Sequence, residues 1–237
     1  MTGQNFGPNL AEVILSISGS KSVEKFIETG TLYGVTARWA SQNFEEVVTI
    51  EIDRGLLNEA QENTDADNIE FRHGDSAEIL SQILPTLNSP ATFYLDAHCG
   101  YGVEKAKDNF EVSDDIEDIN PLLAELEQLS KHSSGEHIII IDDVIHFLQP
   151  PPRPFPPDEF PTIQDIIHAI EDISDSYHVV VFEGHIIAVP QSEKQILIQE
   201  IRNIHNPENR SQIQQWVLAL WQNIVFPAGR RIYRKLG

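Results

Sequence analysis

The stretch VEKFIETGTLYG, residues 23–34, joins a short apolar run to a turn that contains two glycines. Residues 23–27 fit a short β-strand, and Glu28 follows them at the point where such a strand would end. Gly30 and Gly34 permit positive φ angles and let another group approach the backbone closely. The stretch therefore predicts a strand that leads through a tight turn into a helix.

Short β-like runs alternate with amphipathic segments along the next hundred residues. This alternation is typical of a buried parallel sheet with right-handed helical crossovers. The predicted strands are 23–27, 47–50, 69–72, 92–95 and 137–141, and the predicted helices are 35–43, 54–63, 77–84 and 121–130.

The rhythm changes after the fifth predicted strand. Residues 149–161 contain seven prolines and predict an irregular loop, because proline disrupts helices and central strands. A helix at 162–173 then precedes two strands, 178–182 and 185–189, which a turn at Glu183-Gly184 joins as an antiparallel hairpin. Together these features predict an α/β fold with a mostly parallel sheet that ends in one antiparallel hairpin.

The length and composition predict one sizeable core with appendages. The chain has 237 residues, of which 41% are hydrophobic. We predict a central domain over residues 23–190, preceded by an N-terminal segment or lid over 1–22. Residues 191–237 predict a C-terminal helical extension that breaks near Asn206-Pro207 and is a candidate surface for a homo-oligomer.

The acidity of the chain limits its partners. Sixteen lysines and arginines oppose 37 aspartates and glutamates, so the net charge is −21 and we expect no nucleic-acid partner. The single cysteine, Cys99, excludes an internal disulfide. No uncharged apolar run approaches the roughly 20 residues of a membrane span. We therefore expect a cytoplasmic protein without a membrane partner.

Polar residues follow the second and third predicted strands. Glu51 ends the second strand, where a carboxylate can accept both hydroxyls of a ribose. Asp75 and Ser76 follow the third strand. Asp75 could accept from an adenine amino group, or it could cap a helix in which Glu78 occupies the first turn. The pattern suits a nucleotide-like ligand, although a plain strand–helix turn explains the glycines equally well.

Three aspartates follow the fourth and fifth predicted strands: Asp96, Asp142 and Asp143. Because parallel strands end at the same edge of a sheet, we expect these carboxylates to converge. They would repel one another unless a cation neutralised them, and oxygen ligands favour Mg²⁺, with Ca²⁺ or Mn²⁺ as substitutes. The alternative is that Asp142 or Asp143 only caps a turn.

In order and spacing, these features resemble the class I S-adenosylmethionine-dependent methyltransferases over about residues 23–189. The resemblance implies a Rossmann-like, seven-stranded sheet of order 3-2-1-4-5-7-6 with an antiparallel last strand. It implies that Gly30 and Gly34 approach the methionine part of the cofactor, Glu51 holds the ribose, and Asp75 with Ser76 contacts adenine. The full set of implied cofactor-binding residues is Glu28, Gly30, Thr31, Gly34, Glu51, Asp75, Ser76 and Asp96.

Within that family, the acidic positions are similar to those of the metal-dependent O-methyltransferases of the macrocin and mycinamicin type and, more distantly, of the catechol type. The resemblance implies that Asp96, Asp142 and Asp143 bind Mg²⁺, which would lower the pKa of an acceptor hydroxyl.

The general base is the least defined part of the predicted site. The catechol type has a lysine base three residues after its first metal aspartate, and this chain has Cys99 there. We therefore consider His98 the first candidate base and His146 the second, although either could be structural. Residues 99–117 would overhang the metal, and they could form a lid together with the proline-rich loop and the N-terminal segment, or be an ordinary surface loop.

The leading functional prediction is Mg²⁺-assisted O-methyl transfer to a small hydroxylated acceptor, such as a sugar or a natural-product glycoside. One alternative is a methyltransferase-fold protein that binds a cofactor or partner without catalysis. Another is a different metal-carboxylate enzyme, which the lack of a basic phosphate-binding cluster disfavours. The glycine spacing also disfavours a nicotinamide oxidoreductase, because it is not Gly-x-Gly-x-x-Gly.

Overall fold

A computed structural model of the protein describes residues 7–97, 120–132, 136–149 and 160–206. Several sequence predictions lie outside these ranges: His98, Cys99, the loop over 99–117, most of the proline-rich loop, and the second C-terminal helix.

Seven strands form one sheet in the order β3-β2-β1-β4-β5-β7-β6. Strands β1 to β5 pair in parallel, and β7 pairs antiparallel with both β5 and β6. This arrangement confirms the predicted fold class, including the antiparallel last strand. The bounds are β1 Lys25–Thr29, β2 Glu46–Glu51, β3 Ile69–His73, β4 Ala91–Leu95, β5 Ile138–Ile141, β6 His178–Phe182 and β7 His185–Val189.

The helices of the described ranges follow the predicted alternation, with one addition. A four-residue helix, α6, follows β5 and had no clear signal in the sequence. The bounds are α1 Pro8–Ser20, α2 Val35–Ser41, α3 Arg54–Glu62, α4 Ser76–Ile83, α5 Leu122–His132, α6 Ile145–Leu148, α7 Ile163–Ile173 and α8 Lys194–His205, with a 3₁₀ turn at Leu84–Thr86.

Separate apolar layers cover the two faces of the sheet. Strand β5 consists of four isoleucines without solvent exposure, which alternate between two apolar clusters. One cluster includes side chains of α4, α5 and α7, and the other includes side chains of α1, α2 and α8. Because a strand directs successive side chains to opposite faces, an all-apolar strand such as β5 requires helices on both sides.

Helix α1 is part of this core, which changes the interpretation of the N-terminal segment. Leu10, Val13, Ile14 and Ile17 are completely buried in the cluster that also contains Phe26 of β1. The described part of residues 1–22 is therefore a core helix, and the suggestion of a lid is wrong for α1. The predicted boundary at residue 23 does not separate α1 from the sheet.

The turn between β6 and β7 is as short as the sequence predicted. Glu183 and Gly184 have φ angles of 46° and 86°, and positive φ at both positions is typical of a two-residue type I′ hairpin turn. The backbone N–H of Val144 donates to the carbonyl of Gly184 at 2.8 Å. The turn is therefore held against the segment that follows β5.

Helix α8 ends at His205, directly before the predicted break at Asn206-Pro207. Among the described residues, no helix combines the length and apolar character needed to cross a membrane. Localisation in the cytoplasm stays a prediction.

His137 connects β4 to β5 at the edge of the sheet where β5 begins. The residue is 6% exposed, and its Nδ1 accepts the backbone N–H of Ala91 at 3.0 Å. Its backbone carbonyl accepts the hydroxyl of Tyr177 at 2.8 Å. Burial lowers the pKa of His137 from 6.5 to about 4, so the ring is neutral at pH 7.

We expect His137 to make folding stability pH-dependent. Between pH 6.5 and about 4 the unfolded chain binds a proton at His137 and the folded chain does not, so stability falls as the pH falls and levels off below pH 4. Urea unfolding of wild type and His137→Asn from pH 7 to pH 4 should show a loss that is roughly 3 kcal/mol larger for wild type. Parallel pH curves for the two proteins would contradict this assignment.

Candidate active site

The segments that follow β1, β2 and β4 are bonded directly to one another. The N–H of Asp96 donates to the carbonyl of Thr29 at 3.1 Å, and the N–H of Gly30 donates to the carbonyl of Ile50 at 2.9 Å. The polar residues after these strands therefore lie in one cleft at the carboxyl edge of the sheet, where parallel α/β sheets bind ligands.

The two glycines of the turn have packing reasons to be glycine. Gly30 has a φ of 80°, and a Cβ there would lie 2.3 Å from the backbone oxygen of Asp96. Gly34 has a φ of 69°, precedes the first residue of α2, and would place a Cβ 3.1 Å from the Cβ of Ala60. The plain-turn interpretation thus accounts for both glycines, and their approach to a cofactor stays a prediction.

Glu28 lies beneath this turn in a network of hydroxyl groups. It is 1% exposed, and the hydroxyl of Thr49 donates to its Oε2 at 2.5 Å. The Oγ atoms of Thr49 and Thr31 are 2.6 Å apart. Burial raises the pKa of Glu28 to about 8, so it is mostly protonated at pH 7. Glu28 and Thr31 thereby connect the turn to β2.

Glu51 is oriented by backbone groups on both of its oxygens. Leu32 N–H donates to Oε2 at 2.9 Å, and Asp53 N–H donates to Oε1 at 3.0 Å. Burial raises the pKa of Glu51 and outweighs these hydrogen bonds. The carboxyl group therefore has a fixed position beside the glycine turn, which suits its predicted role toward a ribose.

The side chains of Asp75 and Ser76 differ in their hydrogen bonding. The side chain of Asp75 accepts the N–H of Glu78 at 2.8 Å, so it caps α4, which is the alternative that the sequence left open. Ser76 is 6% exposed, and its buried Oγ has no hydrogen-bond partner among the described residues. An unsatisfied buried hydroxyl at this position fits a ligand that supplies a polar partner, and contact of either residue with adenine stays a prediction.

Asp96, Asp142 and Asp143 come together as predicted for adjacent strand ends. The N–H of Asp142 donates to the carbonyl of Leu95 at 3.1 Å, and the side chains of Asp96 and Asp142 are hydrogen-bonded. Burial, followed by the nearby carboxyls of Asp142, Asp143 and Glu28, raises the pKa of Asp96 well above its usual range.

Tyr94 and His185 are two site residues that the sequence did not reveal. Each is 1% exposed. The hydroxyl of Tyr94 donates to Oδ2 of Asp142 at 2.7 Å, and Nε2 of His185 lies 2.8 Å from Oδ1 of Asp142. Burial opposes ionisation of Asp142, but the hydrogen bond and positive charge of His185 outweigh it and lower the pKa of Asp142. His185 correspondingly has a raised pKa.

Asp143 and His146 lie in the segment that follows β5. Asp143 has a φ of 52°, which is uncommon for a residue other than glycine and is a strained conformation near a candidate site. Nε2 of His146 lies 3.6 Å from Oδ2 of Asp143. His146 is therefore near the acidic cluster. The first candidate base, His98, and Cys99 lie outside the described residues, so the choice of base stays a prediction.

The acidic cluster contains the type of ligand that a divalent cation prefers, but its side chains are not arranged around a common metal position. A cation would relieve the repulsion that raises the pKa of Asp96. Within the described ranges, however, no group of three or more His, Cys, Asp or Glu side chains is placed to hold a metal ion. Asp142 contributes to this, because its carboxylate already accepts from Tyr94, His185 and the N–H of Asp143. The three aspartates thus supply suitable ligands without a complete site.

Comparison with known proteins identifies the fold. No protein-family model and no curated protein sequence matches the chain. Among solved structures, the chain is similar to an O-methyltransferase from Bacillus cereus in complex with SAH, with 20% identity, 80% of this chain and 84% of that chain covered, and a TM-score of 0.54. It also matches the O-methyltransferase TomG from Streptomyces achromogenes at 17% identity, with coverage of 76% and 79% and a TM-score of 0.46.

The similarity to the Bacillus cereus structure confirms the predicted resemblance at the level of the fold. With the strand order and the antiparallel β7, it shows that this chain has the class I methyltransferase fold.

Replacement of Gly30 by alanine should disturb both the turn and the end of β4. The new Cβ would overlap the Asp96 oxygen, and φ is positive, so we expect the free energy of unfolding to fall by about 2–4 kcal/mol. Gly19→Ala is the matched control, since its Cβ meets nothing within 4 Å and it lies in α1. Gly19→Ala should stabilise the protein by roughly 0.5–1 kcal/mol. Equal effects in urea unfolding would contradict the proposed contact.

Proposed function

We propose that this protein transfers a methyl group from S-adenosylmethionine to a hydroxyl of a small acceptor. The observation that carries the proposal is the fixed carboxyl group of Glu51, which two backbone N–H groups hold beside the glycine turn in a methyltransferase fold. A carboxylate in this position can accept both ribose hydroxyls. Ser76, with its unsatisfied buried hydroxyl, lies after the neighbouring strand β3, where an adenine ring would need a polar partner.

The acidic cluster lies next to this cofactor position because Gly30 contacts the end of β4. We propose that Asp96, Asp142 and Asp143 hold Mg²⁺ or another divalent cation there. When bound, such a cation lowers the pKa of an acceptor hydroxyl and orients its oxygen. Two neighbouring oxygens on the acceptor would suit it, which favours sugars, polyols and catechol-like compounds.

The chain's own residues have separate tasks in this proposal. Glu28, protonated at pH 7, holds the cofactor turn through Thr49 and Thr31 without adding negative charge to the cleft. His146 is the described candidate for the base that removes the acceptor proton, because it lies beside Asp143. His98 is the other candidate, on sequence grounds.

The cofactor part is tested by Glu51→Gln. The amide would lose one acceptor for the backbone N–H groups and one for the ribose, so we expect the dissociation constant for S-adenosylhomocysteine to rise at least about tenfold in calorimetry. Glu46→Gln, at the other end of the same strand, should bind as wild type does. If wild type binds no S-adenosylhomocysteine, the proposal fails. If Glu51→Gln binds normally, the ribose contact is elsewhere.

The metal part is tested by removal of the cation and by Asp143→Asn. Release of S-adenosylhomocysteine from S-adenosylmethionine would be followed with a panel of catechols and sugars, in metal-stripped protein with and without Mg²⁺. We expect transfer only with Mg²⁺ and a loss of at least about tenfold in Asp143→Asn. Asp172→Asn, at an exposed position of α7, should not change the rate. Full activity in excess chelator would exclude the metal. Cofactor binding without transfer to any acceptor would favour a non-catalytic binding protein.

A further inference from the structure

Strand β6 forms one end of the sheet and presents an apolar edge. In the part of the chain that the structure describes, β6 pairs only with β7. Its sequence, HVVVF, contains no Asp, Glu, Lys or Arg, and the side chain of Val181 is 55% exposed. The strand at the other end, β3, instead carries the ion pair between Arg72 and Glu70 at 2.8 Å. Charged side chains protect an edge strand from pairing with another chain, and β6 lacks this protection.

The hairpin register determines which backbone groups of β6 face outward. In a two-residue hairpin, the residues that flank the turn exchange both of their backbone hydrogen bonds, and bonding alternates along the strand from there. Phe182 pairs with His185 across the turn, so the even-numbered residues of β6 bond to β7. The N–H and C=O groups of Val179 and Val181 therefore point to the open edge, where no other element of the described ranges pairs with them.

An edge of this kind is complementary to a second copy of itself. When two β6 strands pair antiparallel about a two-fold axis at Val180, Val179 of each copy lies opposite Val181 of the other. These two pairs exchange all of the outward backbone groups, because both residues of each pair bond outward. Val179 and Val181 also share one face of the sheet, so the pairing covers the exposed Val181 side chain.

Charge favours this edge as the contact between copies. Each copy has a net charge of −21, so two copies repel each other wherever their acidic side chains meet. A two-fold contact brings the same surface together from both sides, which requires a surface without like charges opposite each other. Strand β6 meets this condition, and in the register centred on Val180 the next residue, Glu183, lies opposite Tyr177 and not opposite a carboxylate.

We propose that β6 is a homodimer interface, at which two copies of this chain join their seven-stranded sheets into one continuous sheet. This contact differs from the C-terminal extension that the sequence offered as a candidate surface. It is also independent of the proposed methyl transfer, because it follows from the register and the charge of the edge strand. The strand leads into the turn at Glu183-Gly184, so the interface lies beside the support of His185.

The first test is the mass of the full chain in solution, measured by sedimentation velocity over a range of protein concentrations. We expect wild type to dimerise and Val181→Lys to raise the dimer dissociation constant at least about 100-fold, because it places a charge at the centre of the contact. Leu123→Lys is the matched control, since it makes the same change at another exposed apolar residue, on α5, and should leave association unchanged.

A disulfide test checks the register. In a Cys99→Ser background, Val180→Cys should form a linked dimer on mild oxidation, because residue 180 of one copy lies directly opposite residue 180 of the other. Val181→Cys should not link, although position 181 is exposed, because its two copies lie on a diagonal beyond disulfide reach. Linking of Val181→Cys without linking of Val180→Cys would contradict the proposed pairing.

The other outcomes are equally decisive. A wild type that stays monomeric at every concentration overturns the proposal and leaves the edge to another occupant, such as residues 207–237 of the same chain. A dimer that Val181→Lys does not weaken, or that Leu123→Lys weakens equally, has its interface elsewhere. Circular dichroism confirms that each variant folds, and if Val181→Lys does not, the two cysteine variants decide.

Discussion

The contact between Gly30 and the backbone of Asp96 determines how the whole carboxyl edge of the sheet is built. With no side chain at Gly30, the turn after β1 lies directly against the end of β4, and a Cβ would leave only 2.3 Å to the Asp96 oxygen. The hydrogen bond from Gly30 to Ile50 prevents the turn from moving away. The proposed cofactor residues and the acidic cluster therefore share one cleft, as a transfer between two bound molecules requires.

Several carboxyl groups are buried in this cleft. Burial of an ionised carboxyl group is unfavourable, and the interactions that offset this cost differ from one residue to the next. Glu28 keeps its proton, Glu51 accepts two backbone N–H groups, and Asp142 pairs with His185. Asp96 differs from these groups, because both its burial and the three neighbouring carboxyl groups raise its pKa. Of the four carboxyl groups, Asp96 is therefore the one whose neighbours most oppose its ionisation.

Most strands and helices were predictable because local signals in the sequence mark them, and the four-residue helix α6 is an exception. Apolar runs, glycine turns and caps set the alternation, and Asp75 occupies the capping position that its spacing to Glu78 indicated. The two-residue turn at Glu183-Gly184 likewise follows from its own residues. The seven-stranded order itself came from the resemblance, since strand order depends on long-range packing.

The partners of Asp142 could not be predicted in this way. Tyr94 looked like an ordinary apolar strand residue and His185 like the start of a hairpin strand, and their meeting depends on the register between β5, β4 and β7. A single sequence contains no local signal for such a register. The core role of α1 was missed for a similar reason, because no local signal in residues 1–22 shows what this segment packs against.

The antiparallel direction of β7 has a consequence for the chemistry of the cleft. A parallel strand would bring its last residue to this edge, whereas β7 brings its first, His185, together with the rigid turn before it. A two-residue turn has little freedom compared with the long loops that follow parallel strands. The side chain of Glu183 also accepts from Asn9 at 2.6 Å, so the start of the core helix α1 supports the same turn. The hairpin turn and His185 therefore form a fixed side of the cleft next to Asp142.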